Sequence, residues 1–107
     1  MLDKQTTLYV YRGATASIEF DFTEFNFNGG KCVFTISDIC KNDKLFQYEF
    51  DESITYNVVL ADEFTSTLKD NKYLYNIMYI VGNERYPECA DSDIIVRNVV
   101  NAYEQQN

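Results

Sequence analysis

The chain has 107 residues, a formal charge of −8, 46% hydrophobic residues and 16% aromatic residues. That length suits one domain around one core, and the apolar content excludes wholesale disorder despite the acidity. With no histidine in the sequence, Ser-His-Asp and Cys-His nucleophilic sites are excluded.

Nine acids and five bases fall in residues 1–53, and eight acids and four bases in residues 54–107, so each half carries −4. An even spread is not the footprint of an acidic tail or a basic arm. A pI near 4.3 argues against direct nucleic-acid binding and against anionic membrane surfaces, both of which need clustered Lys and Arg. No apolar run approaches the ~18 residues of a spanning helix, so a soluble protein with no membrane partner is expected. Met1 to Thr6 lacks the basic and apolar regions of a signal peptide, which predicts synthesis in a cytoplasm.

Alternation of apolar and polar residues is the dominant signal along the chain. Thr6 to Arg12 reads as a first strand, with Leu8 and Val10 on one face and Tyr9 and Tyr11 on the other. After Gly13-Ala14-Thr15, Ser17 to Thr23 is the clearest strand, Ile18, Phe20 and Phe22 opposing Glu19 and Asp21. Asn26 to Gly30 is a turn, and Lys31 to Ser37 follows with Cys32, Phe34 and Ile36 inward. Cys40 to Lys44 is a polar turn before Leu45 to Phe50, which sets Phe46, Tyr48 and Phe50 together. Thr55 to Leu60 is the next strand, with Tyr56, Val58 and Leu60 on a common face.

Ala61 to Lys69 is the one helical candidate, a single turn with Asp62 as its cap and Phe64 and Leu68 on one face. Tyr73 to Val81 is the longest apolar strand, and its two largely hydrophobic faces predict a central position or a covered outer face. Gly82-Asn83 reads as a hairpin turn. Pro87 demotes Glu84 to Cys89 to an edge or a bulge. Asp93 to Val100 closes the fold, and residues 102–107 form a polar tail. The expectation is therefore an all-β, antiparallel sandwich of about seven or eight strands in one domain over residues 1–107, its core spanning about residues 6–100.

Little in the sequence carries chemistry. Cys32, Cys40 and Cys89 are odd in number and lack CxxC spacing, so neither a disulfide scaffold nor a zinc site is expected, and Cys32 reads as a small core residue. No Gly-rich phosphate loop is present. The pairs Asp51-Glu52 and Asp62-Glu63, and Asp91-Ser92-Asp93, sit at predicted turns. They read as solvated turn residues, ahead of weak calcium ligation and of two-carboxylate catalysis. No enzyme activity, metal or cofactor is expected. Surface tyrosine is common in recognition because it offers contact area at low entropy cost. Thr7, Tyr9 and Tyr11 are therefore the candidate interaction surface, the structural alternative being a face covered by a loop or a neighbouring subunit.

The run Tyr11-Arg12-Gly13-Ala14-Thr15-Ala16-Ser17-Ile18-Glu19-Phe20 begins a wider pattern. It continues through Cys32 to Asp38, Val58-Val59-Leu60, Ala61 to Leu68, Tyr73-Leu74-Tyr75-Asn76-Ile77 and Ile94 to Val99. Over roughly residues 6–100 the chain resembles the N-terminal domain of phage baseplate upper proteins and related small sandwich domains of tailed-phage virions. Asn71-Lys72 and Asp91-Ser92-Asp93 stand where the pattern usually has glycine. The resemblance implies an immunoglobulin-like sandwich without catalytic residues. In such sandwiches a tyrosine near the start of a late strand bonds its hydroxyl to upstream backbone, so Leu68, Tyr73 and Tyr75 become the candidate structural corner.

The function expected on this resemblance is that of a virion structural component, made in the host bacterial cytoplasm. It would attach to or connect parts of a baseplate, tail or capsid through contacts with other virion proteins, as a homo-oligomer or in multiple copies. Of the two sheet edges weighed as acceptors of a partner strand, the first strand is preferred to the Pro87 strand, which lacks a donor. A carbohydrate- or receptor-binding module is the first alternative. An acidic DNA mimic is the second, disfavoured because the acids fall mostly in turns.

Overall fold

Four phenylalanines spaced along the chain decide how the strands assemble. Phe20 and Phe22 come from one region of sequence and Phe34 and Phe50 from another, yet all four are fully buried together. A computed structural model of the chain describes residues 7–38, 43–69 and 73–98. Its elements are β1 (Leu8–Arg12), β2 (Ala16–Asp21), β3 (Lys31–Asp38), β4 (Asp43–Phe50), β5 (Thr55–Leu60), α1 (Asp62–Thr65), β6 (Tyr73–Val81) and β7 (Glu84–Asn98). They form a five-stranded sheet in the order β1-β7-β6-β3-β4 and a two-stranded sheet of β2 and β5. The fold is thus all-β in two layers, as the alternation predicts.

The layers meet through aromatic rings. Phe20 lies 5.0 Å from both Phe34 and Phe50, and Phe22 lies 4.7 Å from Phe50, between ring centroids. Phe25 and Phe27, in the loop after β2, close over Phe22 at 5.6 and 5.5 Å. Val58 and Leu60 of β5, Ile36 of β3, Tyr75 and Ile77 of β6, and Ile94 of β7 complete the core. Cys32 and Cys89 are free thiols within it. Burial, and then the charge of Glu88, push the Cys32 thiol up to about 12.

Three expectations are corrected. The sheets are not wholly antiparallel: β1 runs parallel to β7, with Leu8 opposite Ile94 and Arg12 opposite Asn98. No hairpin constrains this pair, because the whole intervening fold serves as the long crossover that a parallel pair needs. Second, Asp91-Ser92-Asp93 does not turn the chain, and the two expected final strands are one 15-residue β7. Register shifts against β6 between Tyr75 and Ile77 and between Ile77 and Met78 each absorb one extra β7 residue. The buried Ser92 hydroxyl donates to Ala90 O at 2.9 Å within this irregular stretch. Third, Asp62 does not cap α1. Ala61 takes the cap position in an extended conformation without a side-chain bond. Its carbonyl accepts from the amides of Phe64 and Thr65 at 3.0 Å, leaving Asp62 one residue too late.

Other details follow from local chemistry. Pro87 pairs with Met78 of β6, in the half of β7 that β1 does not reach, so its missing N–H breaks no second ladder. Gly30 leads into β3 so close to β6 that a Cβ there would sit 2.5 Å from Ile80 O. Cys40, and the expected strand end at Val99 and Val100 with the tail beyond, lie outside the described residues.

Phe22→Ala should destabilise the fold by about 3–5 kcal/mol in urea unfolding, since it removes a ring packed against both layers. A loss under about 1 kcal/mol would contradict that packing. In a C40S background, Ellman's reagent should label no thiol until the chain is unfolded, because Cys32 and Cys89 are buried. Prompt labelling of the folded protein would show otherwise.

Candidate interaction surface

Period-two alternation turns one face of the five-stranded sheet to the core and leaves the other without a covering layer among the described residues. Register arranges that outer face in rows. Arg85, Ile80 and Lys31 form one row, and Pro87, Met78, Val33 and Glu49 the next. Asn76 then stands beside Thr35 and Gln47, and Leu74 beside Ser37 and Lys44, with Asp93 beyond Leu74. Val33 and Thr35 are nearly buried here because longer side chains flank them. A shallow groove of about 390 Å³ runs across this centre, its rim including Lys31, Lys44 and Arg85.

The polar groups of the groove are cross-braced. Asn76 Nδ2 donates to Asp91 Oδ1 at 3.0 Å, and Gln47 Nε2 donates to Thr35 Oγ1 at 3.1 Å. Lys31 Nζ meets Glu49 Oε2 at 3.1 Å, both side chains being solvent-exposed, so this pair adds little stability. The sequence shows which residues point outward, but pairing register alone places these rows side by side.

Tyr9 and Tyr11 lie on the same outer face, at its β1 edge, and are 53% and 48% exposed. Parallel pairing sets Tyr9 opposite Ile95 and Tyr11 opposite Arg97. The Arg97 guanidinium sits 4.9 Å from the centroid of the Tyr9 ring, a cation–π geometry. Ile95 is also exposed. Thr7, expected with the two tyrosines, precedes β1 and is half-buried. The structure therefore joins Tyr9 and Tyr11 to Ile95 and Arg97, partners from the far end of the chain that spacing alone does not reveal.

At the expected corner, the Tyr73 hydroxyl accepts from the Lys69 backbone N–H at 2.8 Å. Leu68 is buried just before it. Tyr75 does something different: its ring is fully buried beside Ser92 and Cys89, and burial pushes its phenol up to about 12. Two further tyrosines make braces that sequence reading missed. The Tyr56 hydroxyl accepts from the amides of Asp51 and Glu52 at 3.3 and 3.0 Å, and the Tyr79 hydroxyl donates to Phe27 O.

The acids sort by face. Asp51-Glu52 and Asp62-Glu63 are exposed beside β5 and in α1. Asp91 and Asp93 are exposed while the intervening Ser92 is buried, so strand alternation separates these three oxygen-bearing side chains. No group of three or more His, Cys, Asp or Glu side chains suited to a metal ion occurs among the described residues. On the two-stranded sheet, Glu19 and Asp21 are exposed, and Asp21 is held below the ordinary carboxylate range by hydrogen bonds from the Thr23 hydroxyl and amide.

No protein-family model matches the chain, and no curated protein matches it.

Tyr73→Phe removes one acceptor from a backbone amide and should cost about 0.5–1.5 kcal/mol in urea unfolding, without changing the far-UV spectrum. A cost indistinguishable from zero would mean that water replaces the hydroxyl at Lys69.

Proposed function

We propose that this chain is an immunoglobulin-like sandwich serving as a non-enzymatic structural component of a tailed-phage virion. Its role is attachment or connection at a baseplate, tail or capsid, through contact with other virion proteins. The strand order supports the immunoglobulin-like reading: β2 and β5 form one sheet, β3, β6 and β7 lie in the other, and β1 lies parallel to β7 at its edge. The hydroxyl brace of Tyr73 on Lys69 N adds to that support.

The observation that carries the functional reading is the exposed group of Tyr9, Tyr11, Ile95 and Arg97 at a sheet edge. Tyrosine and arginine dominate the energetic centres of protein interfaces, and charged residues other than arginine are depleted there. The adjacent β1 edge offers backbone groups to a partner strand, so the same site combines side-chain anchors with possible ladder extension. Contact of this kind explains a chain with no legible catalytic kit.

The test is mass spectrometry of purified particles of the phage that encodes the chain. The protein is expected in them in several copies. A Y9S/Y11S variant should stay folded, losing no more than about 2 kcal/mol of unfolding free energy, the scale of one exposed cation–π contact and two cross-strand pairs. It should nevertheless be depleted from particles by more than about tenfold, the effect of losing a central aromatic anchor. Absence of the wild-type protein from particles overturns the proposal, and specific binding across a glycan array would favour a carbohydrate-binding module instead.

A further inference from the structure

The chain is acidic overall, yet its charges are not mixed evenly over its two faces. Six cations lie among the described residues: Arg12, Lys31, Lys44, Lys69, Arg85 and Arg97. Register puts Lys31, Lys44 and Arg85 on the outer face of the five-stranded sheet, and Arg97 on the same face beside Tyr9. Of the acids on that face, Glu49 lines the groove and is paired with Lys31, while Asp91 and Asp93 lie outside the groove lining, Asp91 accepting from Asn76. Lys44 and Arg85 make no ion pair with any described residue. A protein of net charge −8 thus presents a groove whose lining carries three cations, Lys31, Lys44 and Arg85, and one acid, Glu49.

The outer face of the two-stranded sheet is its complement. Alternation and pairing set Ser17 beside Val59, Glu19 beside Asn57 and Asp21 beside Thr55 there, all exposed. Its charged side chains are both acidic, and no Lys or Arg occurs within β2 or β5. Asp21 is held ionised by Thr23. Val59, 54% exposed, gives one end of this face an apolar side chain beside Ser17, as Val33, Met78 and Ile80 line the groove with apolar ones. Because the two sheets share one core between them, these two faces look in opposite directions.

We propose that copies of this chain stack back to front, the β2–β5 face of one copy seated in the Lys31–Lys44–Arg85 groove of the next. It rests on the multi-copy reading above and deepens it by naming a second contact, distinct from the Tyr9–Tyr11 edge. Two unlike faces on opposite sides make a heterologous contact, which generates a ring if the rotation closes and a filament if it does not. Long-range repulsion between copies of charge −8 opposes the approach. At about 0.15 M salt that repulsion decays over ~8 Å, whereas charges in contact still attract.

The test is sedimentation and light scattering of the whole chain at rising concentration. At about 0.15 M NaCl the average mass should climb past twice the monomer value, and at about 1 M, where screening reaches ~3 Å, it should fall back to the monomer. K44E/R85E and E19K/N57K alter exposed positions, so each should retain the wild-type circular dichroism and melting midpoint while remaining monomeric. Mixed in equal amounts they should associate again, since each then supplies the charge the other lacks. A wild-type chain that stays at 12.5 kDa under all conditions overturns the proposal. Association indifferent to salt and to both variants, or a mixture that stays monomeric, does so too. A monomeric chain that binds polyglutamate would assign the groove to an acidic partner instead. A monomer still found in virions would sink stacking and leave the proposed function standing, and a stacking chain absent from virions would do the reverse.

Discussion

The contact between the Phe20–Phe22 pair and the Phe34–Phe50 pair is the constraint on which the rest of the structure depends. Two strands alone, β2 and β5, make a ribbon that is marginal in water. It becomes a stable layer by burying its phenylalanine face against the larger sheet. The rings sit tilted at 36° to 56° to one another across these contacts, in keeping with the preference of aromatic quadrupoles for non-sandwich geometry. Once that face is fixed, alternation turns Glu19 and Asp21 outward. The acidic face is therefore a consequence of the aromatic one.

Tyrosine does the complementary work at the periphery. A phenol carries an apolar ring and one polar tip, so it can sit against the core and still bond backbone in a loop. Tyr56, Tyr73 and Tyr79 each do so, at the turn after β4, the segment before β6 and the loop before β3. Tyr9 and Tyr11 lie on the outer face at the margin of the sheet, away from that core, with about half of each side chain exposed. A single residue type thus divides into loop braces, a core ring at Tyr75 and exposed surface rings, according to which side of a strand it occupies and how deep it lies.

Much of this was legible in the sequence, for a physical reason. A strand with one buried face must alternate, and β5 and β6 begin and end where alternation and turn residues place them. The exposed side of β1 followed from Leu8 and Val10 claiming the core. What alternation cannot encode is pairing between distant segments. Nothing local to Tyr9 names Ile95 as its neighbour, and the parallel sense of β1 and β7 is set by the path of the whole chain. The Asp91-Ser92-Asp93 run misled because acidic, hydroxyl-bearing residues favour turns. Inside a bulged strand the same residues serve as two solvated carboxylates and one inward hydroxyl that bonds Ala90.

The parallel pairing of β1 with β7 has a mechanical consequence. Five residue pairs join the two strands, from Leu8–Ile94 to Arg12–Asn98. Tension drawn at Leu8 in one direction and at Asn98 in the other acts along these strands, not across them. The ladder bonds are then loaded together in shear, whereas an antiparallel hairpin pulled at its open end surrenders its bonds one after another. Resistance to such a load rests on short-range rupture of the whole patch, so it would fall abruptly with any substitution that shortens the pairing.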